Sequence, residues 1–227
     1  MSHFPFTIVG FDLDGTLLDT AGDLAAAVDH ALGLAGRPPV PPAEVRDLIG
    51  GGAKRMLERA LALTGGVPED EFADLYRALL AFYTDNIAVH TRPFPGAEAA
   101  LDALAERGVQ LAVVTNKFEH LARKVLGELG LYERFYTVIG GDTMGPGRAK
   151  PQPDQLNEMI ARGGGGENVE LRAAYVGDTT YDTLAAQAAG LPCIAVSFGY
   201  NDLPPAELGA TAVIDHFDAL IPALKSL

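Results

Sequence analysis

Apolar residues change rhythm along this chain, and each rhythm predicts a different kind of element. Phe6 to Phe11 is an unbroken apolar run of strand character that stops abruptly at Asp12. Past Thr20 the spacing becomes helical. Ala25, Val28, Ala31, Leu32 and Leu34 trace one face, which ends near Gly36 and the Pro38-Pro39 break. A short helix is expected from Pro42 to Ile49, interrupted by Gly50-Gly51-Gly52, and Met56, Leu57, Ala60, Leu61 and Leu63 mark a third. A fourth, from about Glu69 to Ile87, carries Phe72, Leu75, Leu79, Phe82 and Tyr83 on its apolar face.

From Pro95 onward helices and strands alternate. Helices are predicted over Ala97–Arg107, Phe118–Leu129, a segment ending at Ile160, Thr183–Ala189 and the C-terminus; strands over Val109–Thr115, Thr137–Ile139, Ala173–Val176, Pro192–Val196 and Ala212–Ile214. Strands separated by helices imply right-handed crossovers and a parallel sheet. The first strand belongs to that sheet, so the helical stretch is an insertion behind it. The expected fold is α/β: a Rossmann-like parallel-sheet core (1–18 and 94–227) with an inserted all-helical cap (19–93).

The ends of the predicted strands carry the chemistry. The first delivers Asp12 and Asp14, followed by Gly15 and Thr16; the second delivers Thr115 and Asn116. Lys150 lies in the loop after the third, and the fourth delivers Asp178, with Asp182 one helical turn on. In a parallel sheet these ends share one edge, where ligands bind. Carboxylates crowded together there repel and need a counter-charge, and hard oxygen ligands suit Mg2+. One carboxylate can attack phosphorus as a nucleophile, and a second can protonate the leaving oxygen and then activate water. A hydroxyl and an ammonium can hold the transferring oxygens. Taken singly, each group has a plainer role: a turn at Asp14, a strand threonine at Thr115, a helix cap at Asn116 with Glu119, a solvated Lys150, a cap and first-turn charge at Asp178 and Asp182. Together, in order and at strand ends, they point to phosphoryl transfer.

Composition narrows the partners. The net charge of −13 disfavours nucleic acid, whose phosphates reward lysine and arginine. The single cysteine, Cys193, excludes an intrachain disulfide, and the scattered histidines offer no zinc pair on one helix face. No signal peptide or bilayer-spanning segment is expected, so the cytoplasm is the predicted location and no membrane partner is expected.

The segments Asp12-Leu13-Asp14-Gly15-Thr16, Val113-Val114-Thr115-Asn116, Lys150-Pro151 and Gly177-Asp178-Thr179-Thr180-Tyr181-Asp182 resemble the haloacid dehalogenase superfamily of phosphohydrolases. The resemblance implies Asp12 as nucleophile, Asp14 as acid and base, and Thr115 and Lys150 as phosphate ligands. It implies Mg2+ held by Asp12, the Asp14 carbonyl and Asp178, with Asp182 in support; Gly15, Thr16 and Asn116 join the expected substrate-binding set. Segments Ile49 to Leu61 and Pro93-Phe94-Pro95-Gly96 are similar to the phosphoglycolate phosphatase branch, which implies 2-phosphoglycolate as substrate. Other expectations kept open are N-acetylmuramic acid 6-phosphate or a sugar phosphate, a phosphosugar mutase, and a non-catalytic binding protein on the same fold. Gly51 and Gly52 leave backbone N–H groups bare ahead of a helix, and Lys54 and Arg55 follow. That loop is the expected cap site for a substrate carboxylate. Oligomeric state is not readable from the chain.

Overall fold

The computed structural model describes residues 4–67, 70–164 and 171–227. The predicted helix start near Glu69 and the end of the Gly163–Gly166 run lie outside them. Strand β1 (Ile8–Phe11) is followed by a two-residue strand β2 (Leu18–Asp19) and then by helices α1 (Ala21–Leu34), α2 (Pro42–Leu48), α3 (Ala53–Leu63) and α4 (Phe72–Asp85). Strand β3 (Arg92–Pro93) returns antiparallel to β2, with Leu18 opposite Pro93 and Asp19 opposite Arg92. Then come α5 (Ala97–Ala105), β4 (Gln110–Val114), α6 (Glu119–Glu128), β5 (Thr137–Ile139), α7 (Asp154–Arg162), β6 (Ala173–Gly177), α8 (Thr180–Ala188), β7 (Cys193–Val196), β8 (Ala212–Ile214) and α9 (Leu220–Ser226).

Six strands form one sheet in the order β5-β4-β1-β6-β7-β8, and every pairing is parallel. β1 lies at the centre, where the chain first winds toward β5 and later toward β8, the switch point at which such sheets bind ligands. Side chains alternate across the sheet. Val9, Phe11 and Val113 pack on one face with Leu101, Leu121, Val125 and Leu220. Ile8, Val114 and Tyr175 pack on the other with Leu156, Met159 and Ala185. Gly10 suits this layering: a Cβ there would lie 2.3 Å from Met159 Sδ and 3.0 Å from the Tyr175 ring, so its absence lets the Met159 side chain of α7 lie against β1.

The helical insertion joins the core through the β2–β3 ribbon, which the sequence pattern did not resolve because two-residue strands carry no periodicity. Buried polar groups fix that junction. The Asp23 carboxylate accepts hydrogen bonds from the backbone N–H of His90 (2.9 Å) and Thr91 (2.9 Å) and from the Thr91 hydroxyl (2.7 Å). Tyr200, from the loop after β7, accepts from Thr20 N (2.7 Å) and Ala21 N (2.9 Å) and donates to Asp19 Oδ1 (2.8 Å). Buried Leu75, Leu79 and Tyr83 of α4 face inward, while Phe82 stacks on His30 of α1 with ring centroids 4.5 Å apart. No helix among the described residues is long and apolar enough to cross a membrane.

Candidate active site

The ends of β4, β1 and β6 are adjacent and bring their polar residues to one place, at the floor of a cavity of about 520 Å³. Asp12, Asp14, Thr115, Asn116, Lys150 and Asp178 line it from the core, and Ile49 to Met56, Tyr76, Leu79, Leu80 and Tyr83 line it from the insertion. Gly15 turns the chain away from β1 at φ +87°, and a Cβ there would fall 2.2 Å from Asp178 Oδ2. Glycine is therefore needed for both the dihedral and the close approach.

Carboxylate oxygens of Asp12, Asp178 and Asp182 lie within 4.8 Å of one another. Their settings differ. Asp182 is completely engaged: Oδ1 receives Lys150 Nζ at 2.6 Å, and Oδ2 receives Asp178 N, Thr179 N and the Thr179 hydroxyl. Asp178 accepts only one hydrogen bond at each oxygen, from the Thr16 hydroxyl (2.9 Å) and Tyr200 N (2.7 Å). Asp12 Oδ1 lies 2.9 Å from Lys150 Nζ but forms no hydrogen bond of good geometry. Burial, partly opposed by Lys150 and reinforced by Asp182 and Asp14, pushes the Asp12 carboxyl up to about 6. Burial, then repulsion from Asp182 and Asp12, holds Asp178 well above the usual carboxylate range. Burial also opposes ionisation of Asp182, yet Lys150 and the Thr179 hydrogen bonds outweigh it and leave that group lowered.

This donor set fits a divalent cation. Two carboxylates with free lone pairs and raised pKa values call for positive charge, and oxygen donors suit a hard ion. Asp12 and Asp178 have coordination capacity left, whereas Asp182 spends its oxygens on orienting Lys150 and the start of α8. Asp182 is thus both the third residue of a capping box with Thr179 and part of the charge network. The plainer and the chemical roles coincide.

Lys150 is buried (4% exposed) and also donates to Tyr175 Oη at 2.8 Å. Burial disfavours its charge, but Asp12 and Asp182 prevail and raise its pKa, so it remains an ammonium. Its backbone is fixed by Gln155, which receives Lys150 N at 2.9 Å and donates to the carbonyls of Thr115 (2.9 Å) and Gly140 (2.7 Å). One buried amide therefore ties together the loops after β4, β5 and Lys150. Asn116 is not a helix cap: its Nδ2 donates to Lys150 O at 3.0 Å, while Phe118 occupies the N-cap of α6.

Asp14 has a different partner, one not anticipated from the sequence. Lys117 Nζ lies 2.8 Å from both its carboxylate oxygens and 4.7 Å from the centroid of the Tyr83 ring on α4. The available signal was that Lys117 follows Thr115-Asn116 at a strand end. Tyr175, Gln155 and Tyr200 were missed too, because each sits in a run that is otherwise plain strand, helix or loop. Of the loop residues expected to hold a carboxylate, Gly51 and Gly52 line the cavity at positive φ. Lys54 is exposed with its Nζ 5.9 Å from the Phe72 ring centroid. Arg55 donates to the Tyr181 hydroxyl across the junction of insertion and core.

Comparison with known proteins agrees with this arrangement. Residues 9–196 match the family model of haloacid dehalogenase-like hydrolases. The chain is 42% identical over 215 residues to the phosphoglycolate phosphatase of Agrobacterium fabrum, covering 94% of this chain and 90% of that protein. It is 40% identical over 220 residues to phosphoglycolate phosphatase 1 of Pseudomonas aeruginosa, covering 95% and 78%. The crystal structure of a predicted phosphoglycolate phosphatase from Haemophilus somnus superposes with a TM-score of 0.87 at 30% identity, covering 96% of this chain and 97% of that one. With its fold, its strand-end acidic cluster and its buried lysine all in place, the chain belongs to the haloacid dehalogenase-like hydrolases.

Proposed function

We propose that the protein is a Mg2+-dependent phosphatase that hydrolyses 2-phosphoglycolate to glycolate and phosphate through an aspartyl-phosphate. The observation that carries the reaction class is the division between two neighbouring carboxylates. Asp12 lies in the acidic cluster against Lys150, and Asp14 lies against Lys117 beneath α4. An Asp12 oxygen attacks phosphorus, forming the new O–P bond as the bond to glycolate breaks. Asp14, carrying a proton once substrate is bound, gives it to the departing oxygen. Asp14 then takes a proton from the water that attacks phosphorus, and Asp12 is released as a carboxylate with inorganic phosphate. Lys150 and Thr115 hold the transferring oxygens. Asp12 and Asp178, with the Asp14 carbonyl, would hold Mg2+, whose charge would admit a phosphate dianion into an acidic pocket. Asp182 positions Lys150.

The substrate follows from the relatives of about 40% identity that bear the phosphoglycolate phosphatase name over nearly the whole of this chain. Residues 19–93 act as the cap, which excludes water during attack by Asp12 and opens for exchange. A release assay for inorganic phosphate over a panel of phosphomonoesters tests the reading. Turnover that is highest for 2-phosphoglycolate and abolished by a chelator is expected; preference for a sugar phosphate, or turnover indifferent to chelation, would contradict it.

A further inference from the structure

Among the described residues, four cationic side chains line the cavity, Lys54, Arg55, Lys117 and Lys150. Lys150 is committed to Asp12, Asp182 and Tyr175. Arg55 is bound to Tyr181, and Lys54 lies exposed beside Phe72. Lys117 is the remaining cation, with only 6% of its side chain exposed, and its ionic partner is the residue that must reach the leaving group. Tyr83 covers it from the insertion. That side chain is 2% exposed and lines the cavity, and its hydroxyl lies beside Lys117 without making a hydrogen bond of good geometry. A buried hydroxyl without a partner costs stability unless something else satisfies it.

We infer that Lys117 and Tyr83 form the site for the substrate's carboxylate, and that Lys117 exchanges Asp14 for that carboxylate when substrate binds. This rests on the phosphoglycolate reading. The distances make the exchange local. Asp14 has to lie within hydrogen-bond reach of the bridging oxygen, and in 2-phosphoglycolate the carboxylate is one methylene from that oxygen. Lys117 Nζ, 2.8 Å from both Asp14 oxygens, is thus one short displacement from either anion.

The exchange also explains how the pair can be both buried and useful. A buried ammonium stripped of its only anion is strongly disfavoured, so Lys117 releases Asp14 only when another anion replaces it. While Lys117 covers both Asp14 oxygens, neither is free to face the leaving group. A substrate carboxylate releases them, whereas an ester without one leaves them covered. The Tyr83 hydroxyl donates to the same carboxylate, so the cap contributes to recognition only when it is closed over Lys117. Specificity would then come from the loop after β4 together with α4, and not from the glycine-rich loop ahead of α3.

The test compares 2-phosphoglycolate with ethyl phosphate, which replaces the carboxylate by a methyl group, using the Mg2+-loaded full-length enzyme. The quantity read is the ratio of kcat/KM for the two esters. Wild type should favour 2-phosphoglycolate, and Lys117→Met should lower the ratio about 10- to 100-fold, the worth of a charge-assisted hydrogen bond. Tyr83→Phe, which keeps the packing, should lower it by about tenfold. Lys117→Arg should recover part of the ratio. Because Lys117→Met leaves a buried Asp14 unpaired, calorimetric binding of both esters to Asp12→Asn proteins, with and without Tyr83→Phe, gives a second measurement that needs no turnover. A wild-type enzyme without preference between the esters would overturn both the substrate reading and this site. A wild-type preference that survives Lys117→Met and Tyr83→Phe but disappears in Arg55→Ala or Lys54→Ala would overturn this site alone.

Discussion

Two buried lysines, Lys150 and Lys117, stand at opposite ends of the same site and are held in different ways. Lys150 is fixed entirely by the core: Asp12, Asp182 and Tyr175 surround its ammonium, and Gln155 holds its backbone. Lys117 has one core partner, Asp14, and one from the insertion, Tyr83. The Lys150 network is therefore built by the core alone, whereas the surroundings of Lys117 are completed by the insertion. On the proposed mechanism this division would hold the phosphoryl group fixed while the leaving group departs and water enters.

The contrast can be broken most severely at Lys150. Lys150→Met leaves Asp182 with a buried, uncompensated charge and removes the partner of Asp12, a loss on the order of 3–5 kcal/mol for a broken buried pair. Denaturant unfolding should register that loss, and turnover should fall by at least 10²-fold, the scale of one charge-stabilising donor removed from a site. A variant as stable as the parent would mean that the network around Asp182 is held by the Thr179 capping box alone.

A smaller effect follows from the raised carboxyls. Asp12 and Asp178 have folded-state pKa values above their unfolded ones, so in metal-free protein their contribution to stability is greatest at low pH. It is lost as pH rises through about 6 for Asp12, and through a range well above the ordinary carboxylate one for Asp178. Asp182 has the opposite sign; its lowered pKa contributes above the ordinary carboxylate range and is lost only in stronger acid. A divalent cation held by Asp12 and Asp178 would compete with the protons on them. The rise in Tm on adding Mg2+ should be larger near pH 8 than near pH 5, which lie on either side of the Asp12 titration at about 6. A shift independent of pH would contradict their assignment as the ion's ligands.

The mildest change concerns the junction. Tyr200→Phe removes the hydroxyl shared by Thr20, Ala21 and Asp19 while leaving the backbone bond from Tyr200 N to Asp178 intact. A cost of about 1–3 kcal/mol is expected, with faster hydrogen exchange at the start of α1 and little change around Asp178. Equal loosening at both places would show that the ring, rather than the hydroxyl, ties the junction to the acidic cluster.

The fold was legible wherever periodicity was long. The alternation after Pro95 and the helical stripes before it gave the sheet and insertion, because burial imposes those spacings on every turn and strand. The β2–β3 ribbon escaped for want of length. The convergence of Asp12, Thr115, Asp178 and Lys150 was legible because the first three sit at strand ends and Lys150 in a loop on the same edge, where a parallel sheet brings them together. Lys117 stands at the same kind of position, but its meaning depends on Tyr83, distant in sequence and indistinguishable from an ordinary apolar-face residue of α4. Tyr200 likewise acts through a hydroxyl in a loop whose pattern announces nothing.

The central claim is that Asp12 bonds to phosphorus while Asp14 serves the leaving group. The most direct measurement is peptide mass spectrometry of Asp14→Asn, acid-quenched after mixing with Mg2+ and p-nitrophenyl phosphate, an ester whose leaving group needs no proton. Slow turnover of the intermediate should leave the mass of one phosphoryl group on the peptide containing Asp12, absent when Asp12→Asn is added to the same chain. Phosphate on any other residue, or retained after Asp12→Asn, would contradict the account.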